Sequence, residues 1–239
     1  MKIPIVREWG SWAVFFTSCL GGLIAGLRMR PWVHGREFAA ETLLTILGLT
    51  LLINSKPSIA SSIRSKGKKE HILWLLFFVI AGLALLTPFL VKGLNAFLIF
   101  ALPAAGYLIL LWAGKEHNLA TELTGFSLLT VAAPAVYFAV TGDMSWKLYL
   151  AVTLFFWAGV LKVRMRLRKS GFFRSVMIFY CVTVSLIYNF LGVPVLILLP
   201  LLENVFTALW LRPEKLRATG YTELAKGILF LIFIWLFWN

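Results

Sequence analysis

Long apolar runs, each about one bilayer thick, alternate along the chain with short breaks that are polar or rich in Gly and Pro. A hydrocarbon core takes roughly 20 apolar residues per helix. On that measure the runs predict helices near 11–27, 38–54, 71–91, 94–113, 119–140, 148–163, 175–191, 193–211 and 221–238. The clearest breaks are the polar stretches 64–71, 114–118, 141–147 and 164–174; the faintest is Gly192-Val193-Pro194, which carries no charge. There is no internal repeat, long linker or separate soluble stretch, so 1–239 reads as one membrane domain. Its basic loops fall near 55–70, 164–174 and 212–220. The expected fold class is all-α, a polytopic integral membrane protein of about nine transmembrane helices.

Composition supports this reading. The chain is 60% hydrophobic and 14% charged, with a mean hydropathy of +0.88. Soluble domains run nearer 45–50% apolar and about 25% charged. A net charge of +13 would point a soluble protein towards nucleic acid. In a membrane protein the same excess is explained by cytoplasmic loops that meet anionic headgroups, and no nucleic-acid partner is expected. Seventeen of the 23 lysines and arginines fall on the side that holds the N-terminus, five fall on the other side, and Lys226 lies within the last span. The expectation is a multi-pass protein of the cell membrane, N-terminus cytoplasmic and C-terminus on the opposite face. The tryptophans fall near span ends, as interfacial anchors do. Arg28-Met29-Arg30-Pro31 follows the first run in place of a small-residue cleavage site, so that run reads as a retained helix. Cys19 and Cys181 both sit in apolar runs and read as packing residues.

Ionisable groups at or within spans are costly, so they mark candidate sites. Most of them gather in the N-terminal-side half: Arg7, Glu8, Asn54, Lys56, Lys115, Glu122, Arg164, Arg166, Arg168, Glu203, Asn204, Glu223 and Lys226. Glu41, near the other end of the second helix, is the exception. Two readings stay open: structural ion pairs, such as Glu223 with Lys226 three residues on, or a polar cavity open to the cytosol. Arg164 and Arg168, four apart, share a helix face and could grip a phosphate or diphosphate. The three histidines have no metal-ligand spacing, Asp143 is the sole aspartate, and no nucleophile elbow or phosphate loop is present. Neither a metal nor a cofactor is expected.

Residues 7–15 (REWGSWAVF) resemble the Lys-Glu-His-Gly-Ala-Trp opening of the YwiC-like family, with Trp9 where the family has histidine. The resemblance continues in 121–137 (TELTGFSLLTVAAPAVY), 163–168 (VRMRLR) and 217–224 (RATGYTEL). That family has no established activity and implies no particular chemistry. A more distant resemblance is to the UbiA-type intramembrane prenyltransferases, which have nine helices and an inside N-terminus. It implies a helical ring around a cytosol-facing cavity. In that superfamily, aspartate motifs ending helices two and six hold magnesium and an isoprenyl diphosphate. Here Asn54 stands where the first motif would begin, but residues 55–64 (SKPSIASSIR) hold no carboxylate, and basic residues replace the aspartates of the second motif. Without acidic ligands, magnesium cannot be held in that way.

What the resemblance then implies is a protein that binds an isoprenoid or other anionic, phosphorylated lipid-like ligand. Its head would sit at Arg7, Asn54, Lys56, Lys115, Arg164, Arg168, Glu203 and Glu223. A catalytic version would be metal-independent, with Glu8 or Glu122 as acid–base group, its pKa raised by desolvation. Whether the chain is an enzyme stays open. The alternatives are a secondary transporter of a small anion or metabolite, or an accessory subunit of a membrane complex.

Overall fold

The computed structural model describes residues 5–6, 8–30, 36–64, 69–210 and 216–238. Every regular element among them is helical: α1 (Trp9–Met29), α2 (Arg36–Arg64), α3 (Lys69–Phe97), α4 (Ala101–Trp112), α5 (Leu119–Thr130), α6 (Ala132–Thr141), α7 (Trp146–Arg168), α8 (Gly171–Phe190), α9 (Leu202–Leu209) and α10 (Leu216–Phe237). Short 3-10 segments, Leu98–Phe100 and Val195–Leu201, precede α4 and α9.

Seven segments are long and apolar enough to cross a membrane. The two runs predicted at 71–91 and 94–113 fall in one of them, the 44-residue segment Lys69–Trp112, and 193–211 corresponds to a shorter apolar stretch, Val195–Leu209. All-helical architecture follows from the solvent: backbone polar groups in hydrocarbon must be satisfied within the segment.

Several boundaries differ from the predicted ones for local reasons. α2 runs through Pro57 to Arg64, so much of the stretch expected as loop is helix. The run at 119–140 is two helices offset at Val131, because Pro134 has no N–H to offer the Thr130 carbonyl. α8 stops where predicted, through Gly192 at φ 63°, with the Val193 N–H closing back on the Tyr188 carbonyl at 2.8 Å.

α7 forms the hub: 61% of its apolar stretch is buried, against 17% for Lys69–Trp112. Phe155 stacks on Phe230 of α10 with centroids 4.0 Å apart. Tyr180 and Tyr188 of α8 donate to the Leu154 and Ala151 carbonyls of α7 at 2.6 and 2.7 Å. α1 lies close against α6 because Gly22 faces backbone; a Cβ there would stand 2.2 Å from the Ala133 carbonyl oxygen. α2 and α3 form an antiparallel pair in which Gly48 and Gly82 each face the other's carbonyl.

Cross-chain contacts define two ends of the bundle. The basic end brings Glu8 to Lys56 at 2.8 Å and Arg164 to the His117 carbonyl at 2.6 Å. The far end brings Arg30 to Asp143 at 2.9 Å, Lys92 to Glu41 at 2.5 Å, and the Phe100 ring to Trp146 at 5.2 Å.

Candidate functional site

Four charged side chains from three helices meet in the basic half of the bundle. α7 supplies Lys162, on the buried face that also carries Ala158 and Met165. α10 supplies Glu223 and Lys226, one helical turn apart. α9 supplies Glu203, in its first turn, with Asn204 beside it. The position of α9 is fixed from α8, since Arg174 donates from Nε and Nη2 to the Ala208 and Leu209 carbonyls, both at 2.5 Å. A cation at the last carbonyls of a short helix satisfies groups that have no partner within it.

The four charges form a closed alternating ring. Lys162 Nζ lies 2.5 Å from Glu203 Oε2 and 3.0 Å from Glu223 Oε1. Lys226 Nζ lies 3.2 and 2.5 Å from the same two oxygens. The remaining Glu203 oxygen accepts from the Thr207 hydroxyl at 2.7 Å, and Lys226 also donates to Asn204 Oδ1. The lysines are sealed in, at 0% and 5% exposure, whereas Glu203 and Glu223 are 35% and 28% exposed. Any approaching molecule therefore meets the glutamates before the lysines. Gly159 leaves room for one of them: a Cβ there would stand 3.0 Å from Glu223 Oε2. Desolvating an ion costs several kcal/mol, offset here only because each charge has two opposite neighbours.

The other expected site residues fall into separate pairs. Arg164 is held by Glu122 through a fork, Nε to Oε2 at 2.9 Å and Nη2 to Oε1 at 2.8 Å, in addition to its bond to the His117 carbonyl. Arg168 turns away from it and lies over the Phe173 ring, 5.6 Å from the centroid. The shared helix face therefore does not become a shared grip. Glu8 takes Lys56 at 2.8 Å and the Ser11 hydroxyl at 3.0 Å. Partial burial would raise the Glu8 pKa, but Lys56 and Ser11 outweigh it and hold the carboxyl below its usual 4.5. That is the reverse of the shift expected for an acid–base group.

Asn54 accepts from the Val6 N–H at 3.2 Å and donates to the Thr50 carbonyl, which ties the N-terminal segment to α2. Trp12 closes the same corner through its indole N–H to the Val6 carbonyl. Lys115 is exposed in the α4–α5 turn, where its carbonyl accepts from the Thr121 hydroxyl at 2.6 Å. Arg7 lies outside the described residues. Of the residues expected to hold a ligand head, only Glu203 and Glu223 belong to the ring. Its other members, Lys162 and Lys226, were legible only as a basic helix end and as a partner for Glu223.

Among the described residues no group of three or more His, Cys, Asp or Glu is placed to hold a metal ion. Fold and site together define a helical protein with apolar segments suited to multiple membrane crossings and a charge-balanced polar centre. No protein-family model, curated protein or solved structure matches the chain.

Proposed function

We propose that the chain crosses the cell membrane nine times, N-terminus in the cytosol, and works as a secondary transporter of a small charged solute. The crossing number follows if the 3-10 segment at Leu98–Phe100 turns Lys69–Trp112 back on itself and Val195–Leu209 counts as a short span. The positive-inside charge bias sets the orientation.

The observation that carries the function is the alternating ring of Lys162, Glu203, Lys226 and Glu223, shared by α7, α9 and α10. Ionisable groups inside a membrane are expensive and mark transport pathways. An anionic solute that replaces a glutamate on the two lysines takes over its contacts, and the displaced carboxylate, partly exposed already, can turn to water. The segment that carries Glu203 is interrupted, 3-10 from Val195 to Leu201 with Pro200 inside it, then α-helical from Leu202. Discontinuous helices of this kind hold the binding sites of many transporters.

Charge displacement on a solid-supported membrane, with jumps in organic acids, amino acids and amines, tests this. One solute class should drive a transient current in the wild type that Glu203→Gln abolishes. Absence of current from folded protein with every class would sink the proposal.

A second reading keeps the isoprenoid or anionic lipid-like ligand and the YwiC-like and UbiA-like kinship. It is favoured by Arg168 and Lys169, which are exposed at the end of α7 beside Phe173. Native mass spectrometry decides it: an isoprenyl diphosphate retained by the wild type and lost from the Arg164→Ala/Arg168→Ala variant would establish it. Equal retention would remove it.

A further inference from the structure

The far end of the bundle holds a cleft of 310 Å³ between the ends of α1, α2, α3 and α6. Arg30, Glu41 and Lys92 surround it, and Phe89 and Phe138 form apolar walls whose rings meet edge to face at 5.2 Å. Lys92 pairs with Glu41, and Arg30 pairs with Asp143 just beyond the lining. These pairs are open to solvent, with side-chain exposures of 59% for Lys92, 34% for Glu41, 51% for Arg30 and 74% for Asp143. Exposed pairs add little to stability, so a ligand can replace a partner in them at little cost.

We infer that this cleft binds a small zwitterion with an apolar body, in chemical class an amino acid. Three features select that class. A ligand of one sign would take a partner from Glu41 or from Lys92 and leave the displaced group without one. A carboxylate and an ammonium carried by one carbon re-pair both, and Arg30, which bonds Asp143 through Nη2, has further guanidinium N–H groups to offer the carboxylate. The Phe89 and Phe138 walls offer an apolar side chain a place out of water. The volume stands at the lower bound of ligand pockets, about 300 to 1,000 Å³, which suits a body of amino-acid size and not a nucleotide or sterol. The site is separate from the charged ring, and its occupancy does not depend on the solute crossing the membrane.

The test is equilibrium binding of radiolabelled L-phenylalanine to the full chain in nanodiscs, with 3-phenylpropionate and 2-phenylethylamine as competitors that lack the ammonium or the carboxylate. Phenylalanine should bind saturably, and either competitor should need about tenfold more to displace it than unlabelled phenylalanine does. Lys92→Gln and Arg30→Gln should each weaken binding by about tenfold, and Lys92→Arg should retain it. Because both residues lie in exposed pairs, the variants should melt close to the wild type, which separates lost binding from lost folding. Absence of saturable binding overturns the inference. So does displacement by phenylpropionate as readily as by phenylalanine, or unchanged affinity in folded Lys92→Gln.

Discussion

The two ends of this bundle hold the same charges in opposite circumstances. Lys162, Lys226, Glu203 and Glu223 form a ring whose lysines are sealed from solvent. Arg30, Lys92, Glu41 and Asp143 make two separate pairs at the far end, all partly open to solvent. In the ring each ion has two opposite neighbours and the lysines have no access to water, so their pairing is a condition of folding. At the far end water and salt compete with every contact, so pairing is optional and exchangeable. Distance alone would miss this: Lys92–Glu41 and Lys162–Glu203 are both 2.5 Å. Burial sets which charges hold the structure together, the ring lysines, and which a ligand can reach, the ring glutamates and the far-end pairs.

The largest expected effect comes from breaking the ring. Lys162→Met removes a fully buried cation and leaves two carboxylates to share Lys226 alone, which should cost about 3–5 kcal/mol. A thermal melt followed by circular dichroism in detergent should show it. The charge-balanced Lys162→Met/Glu203→Gln variant should recover most of that loss. Equal destabilisation in both would mean that the lysine stem, and not charge pairing, supplies the stability. An intermediate effect belongs to Arg164, 13% exposed and forked on Glu122. Arg164→Gln should cost about 1.5–3 kcal/mol, the range for hydrogen bonds to charged groups. A cost below that range would place the pair with the exchangeable class at the far end.

The exchangeable class should respond to salt and barely to mutation. Lys92→Gln should change stability by less than about 1 kcal/mol. Raising the salt to 1 M should erase even that difference, while leaving the Lys162→Met deficit in place. A salt-sensitive Lys162→Met deficit would show that water and ions reach the ring lysines and would collapse the distinction.

The physical basis of each element explains how far it could be read from sequence. Helix positions were legible because each apolar run must satisfy its own backbone in hydrocarbon. The offset at Val131 needed attention to the proline three residues later, and the continuation of α2 to Arg64 ran against a polar, proline-bearing stretch. Glu223 with Lys226 was legible because the pair is local, three residues apart on one helix. Lys162 was not, since from sequence it opens the basic end of α7, and only the fold brings residues 203 and 223 to it. Arg164 and Arg168 show the converse. Spacing places them on one face, but Glu122 and Phe173, from different helices, draw them apart.

The smallest expected effect is at Glu8, where the comparison can be made by titration. Glu8 is 66% exposed, yet it holds Lys56 at 2.8 Å, so it belongs with the exchangeable pairs. Its folded pKa is lowered: burial pushes it up, but Lys56 and Ser11 push it down further. A carboxyl with a depressed folded pKa adds stability above its unfolded value of 4.5, and that contribution is lost as the pH falls through the lower folded value. The contribution should stay below about 1 kcal/mol, since solvent screens an exposed pair. Carbon-13 titration of selectively labelled glutamate, assigned with Glu8→Gln, should give Glu8 a midpoint below 4.5 that rises in Lys56→Gln. The Val6 amide, bonded to Asn54 two residues before Lys56, should exchange faster below the midpoint. A midpoint at or above 4.5 would mean that the corner joining the N-terminal segment to α2 is not held by charge, leaving Asn54 and the Trp12 indole to hold it.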